Sequence, residues 1–450
     1  MPKNLSLYHQ CNALRQYGRV WLIMVDDRAL LIQRRSHDEP NLMEEFVALA
    51  STAGYSVEKS YDIVSPPSAK YAIRSGKVEE IAAWIEINSP DVVYFSPRLT
   101  SGQVFRLMER WEVEVRDRTQ LILEIFDRHA RTPQAKLQIE QARLRYELPF
   151  ERHQIRMRLQ KEHTGDRPIA EQIGAGEDLL TLRIHQIRKR IAVIEEKLES
   201  ISRSQALKKR KRSKKGFLEV TLAGYTNAGK STLHRALTGS EVEIADKLFT
   251  TLATKSTRLP IEGRQAVLTD SVGFISDLPR PLLQAFNTTL MEIGDADVII
   301  LVVDGSDSLS EMQRKLETCL DTFTEIGANG ISTVVALNKV DLLEEERIRE
   351  CLELIIGESL VGIPVSAMES TNLDELLQSV DSHLPPLTRY LVTLPYDDSS
   401  MSLISRLHDM TTVRNQDFGQ GNVEIEVVLS AELVQRLERE LPVGSLRRLE

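Results

Sequence analysis

Hydrophobic positions along this chain change period several times, and each change marks a change of architecture. Up to about residue 115, short apolar runs alternate with amphipathic stretches. Val20-Trp-Leu-Ile-Met-Val25 and Val92-Val-Tyr-Phe95 have the length and composition of strands. Asn41 to Ala53 instead repeats apolar residues at helical spacing (Leu42, Phe46, Leu49, Ala50), and Gly76 to Ile85 reads as a second helix. Strands alternating with helices predict an α/β domain over residues 1–116. From Thr119 to about Tyr146 the pattern is helical and free of glycine. Pro149 marks a break, and residues 162–176 carry Gly165, Pro168, Gly174 and Gly176. Helical spacing resumes from Glu177 to about Ala206 through Leu179, Leu182, Ile187, Ile191, Ile194 and Leu198. Two long helices joined by a glycine-bearing loop predict an antiparallel hairpin over 117–207, with the apolar stripe sealing one helix to the other.

Beyond residue 216, strand-like runs end in polar clusters. Leu218-Glu-Val-Thr-Leu-Ala223 leads directly into Gly224-Tyr225-Thr226-Asn227-Ala228-Gly229-Lys230-Ser231, and Thr232 to Leu237 then opens a helix. In that strand–loop–helix setting the two glycines let the backbone turn so that successive N–H groups converge on phosphate oxygens. Lys230 reaches the β- and γ-phosphates and the Ser231 hydroxyl holds Mg2+, while the positive end of the helix faces the phosphates. Gln265-Ala-Val-Leu-Thr269 ends in Asp270-Ser271-Val272-Gly273, where Asp270 is placed to bind Mg2+ through water and the Gly273 N–H to contact the γ-phosphate. Thr333-Val-Val-Ala-Leu337 ends in Asn338-Lys339-Val340-Asp341, 107 residues after Ser231. The Asp341 carboxylate can accept from N1–H and N2–H2 of guanine, a donor pair that adenine lacks. Lys339 lays its stem along the base, Asn338 braces the cradle, and the backbone N–H of the Ser366-Ala367 turn suits guanine O6. Together these clusters predict binding of GTP and GDP with Mg2+, in a P-loop G domain over 216–384 whose mostly parallel sheet is flanked by helices.

Pro385-Pro386 closes that domain. In 387–450, Leu391 to Leu394 and Val423 to Leu429 read as strands, and Ser400 to Met410 and Ala431 to Leu441 as helices, a small α+β domain.

Two positions near the cradle bear on hydrolysis. Phe274 follows Gly273, where Ras-like GTPases carry the Gln that orients the attacking water. An apolar ring cannot do this, so slow turnover of the isolated protein is expected. Gly273 and Phe274 are the catalytic candidates, set against the alternative that Phe274 packs in the core and another group acts. Between cradle and Asp270, the run Phe249-Thr250-Thr251-Leu252 offers Thr251 as the residue that closes over the γ-phosphate and completes Mg2+ coordination. Asn227 admits two readings, a K+ ligand beside the β/γ-phosphates or an Asn that fits the turn.

Composition narrows the class further. With 450 residues, 42% hydrophobic and 27% charged, the chain has room for about three domains. No run of 18 apolar residues exists, so no membrane span is expected, and Met1-Pro-Lys-Asn-Leu-Ser lacks an apolar signal core. Cys11, Cys319 and Cys351 have no metal-ligand spacing and fit a reducing, cytoplasmic compartment, with an organelle or peripheral membrane association left open. The net charge of −9 conceals a strong asymmetry: Arg128 to Lys215 holds 23 Lys/Arg against 11 Asp/Glu. Its densest part, Lys208-Lys209-Arg210-Lys211-Arg212-Ser-Lys214-Lys215, is read as a basic linker (208–215) that favours a phosphate backbone, with RNA the better reading beside a phosphate cradle.

These residues resemble the HflX-type GTPases of the Obg–HflX superfamily over nearly the whole chain. Gly224-Tyr-Thr-Asn-Ala-Gly-Lys-Ser-Thr-Leu233 is similar to that family's cradle, Leu248-Phe-Thr-Thr-Leu252 to its switch I, and Asp270-Ser-Val-Gly-Phe-Ile-Ser-Asp-Leu-Pro279 to its switch II, Phe included. Asp117 to Phe126, Ala130 to Glu140 and Gly76 to Ile81 are similar to its upstream motifs. The chain departs from the family at Gly174-Ala-Gly-Glu177-Asp-Leu-Leu-Thr181, which lacks the usual Gln and second Glu, and at Ala253-Thr254, where Asp-Pro is common. The resemblance implies binding to the large ribosomal subunit (rRNA and ribosomal proteins), a hairpin that reaches toward the peptidyl-transferase region, splitting or rescue of stalled ribosomes, ribosome-stimulated hydrolysis, and a monomer. Large-subunit assembly and RNA remodelling by an NTPase are the competing readings.

Overall fold

The computed structural model describes residues 27–130, 132–162, 170–214, 217–239, 255–262, 264–271, 273–276, 293–294, 296–395, 397–419, 421–442 and 444–449; for 152–162, 170–181, 205–206, 208–214, 255, 398–399, 409–410, 432 and 436 it describes the backbone alone. The strand expected at Val20–Val25 lies outside them. The chain forms two units, Met1–Pro97 with Val104–Arg116, and Arg98–Gln103 with Asp117–Glu450.

In the first unit β1 (Asp27–Arg35), α1 (Met43–Thr52), β2 (Tyr55–Val64), α2 (Ser75–Asn88), β3 (Val92–Ser96), α3 (Ser101–Trp111) and β4 (Glu114–Asp117) alternate as the apolar runs require. The sheet order is β2-β1-β3-β4, with β1 parallel to both β2 and β3. Leu30, Leu31, Ile32, Val93, Tyr94 and Phe95 on the strands and Phe46 and Leu49 on α1 are buried. Central strands covered on both faces read as continuous apolar runs for this reason.

The second unit opens with α4 (Arg118–His129), capped by a reciprocal box between Asp117 and Gln120. The helices α5 (Pro133–Glu162) and α6 (Ala170–Lys214) follow and form the hairpin. Ile139, Ala142 and Tyr146 are buried on α5, and Ile187 and Ile194 on α6. Glu140–Arg190, Arg145–Glu195 and Glu151–Arg183 pair across the seam. Three expectations need correction. Pro149 does not break α5: its penalty of about 3 kcal/mol is set against a seam that continues past it, where Glu151 of α5 pairs with Arg183 of α6 at 3.8 Å, and against the Tyr146–Phe150 ring contact within α5 itself, at 5.3 Å. Helix α6 begins at Ala170, ahead of the glycines at 174 and 176. The basic run is not a linker, because residues 208–214 are the last turns of α6. Lys and Arg are good helix formers, and cations are favoured at the negative end of the helix.

The G domain comprises β5 (Leu218–Gly224), α7 (Lys230–Thr238), β6 (Lys255–Leu259), β7 (Ala266–Asp270), β8 (Val298–Asp304), α8 (Leu309–Glu325), β9 (Ser332–Asn338), α9 (Glu345–Gly357), β10 (Val361–Pro364) and α10 (Leu373–His383). Its six strands run β10-β9-β8-β5-β7-β6, all parallel except β6. The order reverses at β5, and the crevice at the carboxyl ends beside such a strand is where α/β sheets bind ligands. Residues from Val220 through Leu384 form one apolar core under that edge.

The last domain is β11 (Leu387–Pro395), α11 (Asp398–Met410), β12 (Thr412–Phe418), β13 (Asn422–Ser430), α12 (Ala431–Glu440) and β14 (Leu446–Arg448). The antiparallel order β12-β13-β11-β14 gives a split β-α-β arrangement of ferredoxin type. It joins the G domain at a buried arginine. The Arg264 guanidinium pairs with Asp381 at the end of α10 and donates to the Pro385 carbonyl at 2.5 Å, immediately before β11. Arg264→Ala is expected to lower stability by about 2 kcal/mol, the worth of hydrogen bonds from a charged donor, read as a lower urea midpoint. An unchanged midpoint would remove Arg264 from the account of this junction.

Candidate nucleotide-binding site

The cradle starts at Gly224, the last residue of β5, where the neighbouring strand leaves room for no side chain but hydrogen. A Cβ on Gly224, at φ 143°, would lie 2.3 Å from the Val302 carbonyl oxygen of neighbouring β8. Gly229 sits at φ 93° immediately before α7, and a Cβ there would lie 2.2 Å from Asn338 Nδ2. Between them Asn227 takes φ 62°, a left-handed conformation that Asn tolerates, so the turn itself accounts for Asn at this position. Thr226 and Ala228 are buried with the loop. Lys230, the first residue of α7, is buried, and its ammonium donates to the carbonyls of Gly224 (3.2 Å) and Tyr225 (2.8 Å). Burial pulls its pKa down, and the Asp270 carboxylate opposes that shift.

Asp270 ends β7 beside this loop, and the Ser231 hydroxyl donates to its Oδ2 at 3.0 Å. Two hard oxygens so placed, next to a buried ammonium, suit Mg2+, which takes one or two protein oxygens and fills its remaining positions with water and phosphate. The donor set therefore fits the ion. Thr232 continues α7. Ser271 turns inward, its hydroxyl donating to the Leu222 carbonyl at 2.6 Å. Gly273 passes so close that a Cβ would meet Lys230 Nζ at 2.8 Å. Phe274 then pairs with the cradle by backbone: Thr226 N–H donates to its carbonyl at 2.8 Å, and its own N–H donates to the Gly224 carbonyl at 3.0 Å. The Phe274 side chain is buried and meets the Phe323 ring edge-on, with centroids 5.8 Å apart. Of the two readings of Phe274, the core-packing one describes its environment.

The base-reading end is built around one buried amide. Asn338, at the end of β9, donates from Nδ2 to the Ala228 carbonyl at 2.9 Å and accepts the Ala367 N–H on Oδ1 at 3.0 Å. One side chain thus ties the cradle to the Ser366-Ala367 turn. Lys339 takes φ 67°, and its ammonium bonds Asp304 Oδ2 at 2.6 Å. The Ser366 hydroxyl donates to Asp341 Oδ1 at 2.6 Å and accepts the Glu369 N–H at 3.1 Å.

The structure thus gathers Gly224 to Thr232, Asp270, Gly273, Asn338, Lys339, Asp341, Ser366 and Ala367 at one edge of the sheet. Phe249, Thr250, Thr251, Leu252, Val272 and Lys215 lie outside the described residues. Lys208, Lys209, Arg210, Lys211, Arg212 and Lys214 are placed as backbone at the end of α6. Sequence reasoning missed Asp304, which fixes the Lys339 ammonium. The available signal was the apolar run Val298 to Val303 ending in Asp-Gly, a strand pattern with a polar end like the three that were read.

A glycine-walled phosphate loop, a Ser–Asp oxygen pair and an Asn-Lys-x-Asp braced against that loop define a P-loop guanine-nucleotide-binding protein. Residues 219–339 match the family described as 50S ribosome-binding GTPase, 41–127 the GTP-binding GTPase N-terminal family, and 129–212 the GTP-binding GTPase middle region. The chain is 37% identical to the GTPase HflX of Thermococcus kodakarensis, covering 81% of this chain and 82% of that one. It is 32% identical to the GTPase HflX of Caldanaerobacter subterraneus subsp. tengcongensis, covering 91% and 93%. Among solved structures it is similar to a GTP-binding protein of Sulfolobus solfataricus in complex with GDP, at 27% identity and a TM-score of 0.44, covering 79% of this chain and 98% of that one. This chain belongs to the HflX family of GTPases.

Among the described residues, no helix is long and apolar enough to cross a membrane.

Proposed function

We propose that this GTPase acts as a switch on the large ribosomal subunit, engaging it in the GTP form and splitting or rescuing stalled ribosomes. The match of residues 219–339 to a family described as ribosome-binding carries the reading. The surplus of 12 positive charges between Arg128 and Lys215 supports it, because an extended cationic hairpin suits a phosphate backbone. The cradle from Gly224 to Ser231 would hold the phosphates, Ser231 and Thr251 the Mg2+ directly, and Asp270 the same ion through water. Asn338, Lys339, Asp341, Ser366 and Ala367 would read guanine. The ion supplies charge neutralisation at the β/γ-phosphates, while the chain's own groups orient them. Lys230 is already directed into the loop, and Gly273 lies against it. Since Phe274 offers no polar group to orient the attacking water, hydrolysis by the isolated protein would be slow, and a ribosomal group would complete the site. GTP would order the Asp270–Phe274 loop and position the hairpin for rRNA; hydrolysis would release it.

The test is to incubate purified 70S ribosomes with the protein and a non-hydrolysable GTP analogue and to separate them on a gradient. Conversion of 70S into subunits that depends on the analogue is expected. An unchanged 70S peak would leave an assembly role as the better account.

A further inference from the structure

Tyr225 was expected to serve the nucleotide as part of the cradle, yet its side chain is occupied elsewhere. The ring is buried. Its phenol oxygen accepts the Ser276 N–H at 2.6 Å and lies 2.6 Å from the Ser276 hydroxyl. The same hydroxyl accepts a hydrogen bond from Arg314 Nη1 on α8. Arg314 is itself held as a fork by Glu311, Nε to Oε2 at 3.0 Å and Nη2 to Oε1 at 2.5 Å. Its guanidinium stands 5.7 Å from the centre of the Tyr225 ring, and the Lys315 ammonium, paired with Asp307 at 2.8 Å, stands 5.3 Å from it. Cation–π contacts of this kind gain strength when the ring is desolvated.

We infer that Tyr225, Ser276 and Arg314 form a latch that positions the Gly273–Phe274 segment for hydrolysis. The segment is fixed at one end by β7, which pairs with β5. In its middle, Phe274 is bonded to the backbone of Gly224 and Thr226. The latch fixes its far end to the cradle through a side chain and braces both against α8. In a chain without a Gln after Gly273, the N–H of Gly273 and the backbone around it are what this loop presents to the γ-phosphate. Their placement then depends on how firmly Ser276 is tethered. The three latch side chains act through that backbone and are positioning residues. A phenol–hydroxyl–guanidinium chain also explains the residue types: a Phe at 225 would fill the same space but offer no acceptor to the Ser276 N–H.

The test compares Tyr225→Phe, Ser276→Ala, the double variant and Arg314→Ala as full-length proteins, measuring kcat and KM for GTP, affinity for a fluorescent GDP analogue, and melting temperature. Each single change is expected to lower kcat about tenfold, the kinetic equivalent of one lost positioning hydrogen bond. KM and GDP affinity should stay within about twofold. The double variant should be no slower than the slower single, because residues that act as one unit are not additive. Tyr225→Phe keeps the ring and its packing, so a purely structural role predicts a wild-type kcat for it. Wild-type kcat in Tyr225→Phe and Ser276→Ala would overturn the inference. So would a fall in kcat that only tracks lost GDP affinity.

Discussion

Gly229→Ala should abolish useful nucleotide affinity while leaving the G domain folded. The added methyl has no free direction. At φ 93° an L-residue is strained by about 1–2 kcal/mol, and the Cβ would fall 2.2 Å from Asn338 Nδ2. Asn338 cannot retreat without giving up its bonds to the Ala228 carbonyl and the Ala367 N–H, at 2.9 and 3.0 Å, each worth about 1 kcal/mol and more when buried. The sum, about 3–5 kcal/mol, corresponds to a loss of about 10²–10³-fold or more in affinity. One methyl thereby disturbs the phosphate loop and the base-reading turn together. A fluorescent-nucleotide titration, with circular dichroism as the folding control, checks it. Affinity within a few-fold of wild type would show that the Asn338 brace is not rigid.

Asp341→Asn should exchange guanine for xanthine nucleotides. The carboxylate offers acceptors to N1–H and N2–H2 of guanine, and a site built for such a pair rejects the wrong partner by leaving buried polar groups unmatched, a discrimination that reaches about 10⁴-fold. The structure adds which way the new amide would point. Asp341 Oδ1 accepts the Ser366 hydroxyl at 2.6 Å, and Ser366 also holds the Glu369 N–H. The amide oxygen keeps the Ser366 bond, and its NH2 is left toward the base, where xanthine presents a carbonyl in place of the guanine amine. Competition between labelled GDP and unlabelled GDP, XDP and ADP measures the outcome. Retained guanine preference would mean that the base is read elsewhere.

Much of this site was legible because a phosphate cradle and a guanine reader are short, contiguous and set by backbone geometry. Gly224, Gly229, Lys230 and Ser231 occupy the strand-end and helix-start positions their pattern requires, and Asn338 spans from reader to cradle as its position suggested. What was not legible depends on packing between segments far apart in sequence. Asp304 serves Lys339 across 35 residues, and Tyr225 meets Ser276 across 51; the strand end marks Asp304 as a site position, but no local pattern names the distant partner of either. Phe274 left two readings open because an apolar residue after a switch glycine looks the same whether it faces phosphate or core, and only its contact with Phe323 distinguishes them. Helix ends were misread for a different reason. Glycines at 174 and 176 and a dense cationic run look like loop and linker, yet both stretches belong to a helix anchored by the hairpin seam. In the last domain the polar sequence Thr412 to Phe418 gave no alternation to read, and it became an edge strand by pairing with β13.

The central claim is that the crevice beside β5 binds guanosine nucleotides with magnesium and excludes their adenine counterparts. Isothermal titration calorimetry of the purified full-length chain with GDP, GTP, ADP and ATP, each with Mg2+, tests it most directly. Saturable, one-to-one heat for GDP and GTP and none for ADP and ATP is the predicted result. No heat for GDP or GTP from correctly folded protein, or equal heat from the adenine nucleotides, would contradict it.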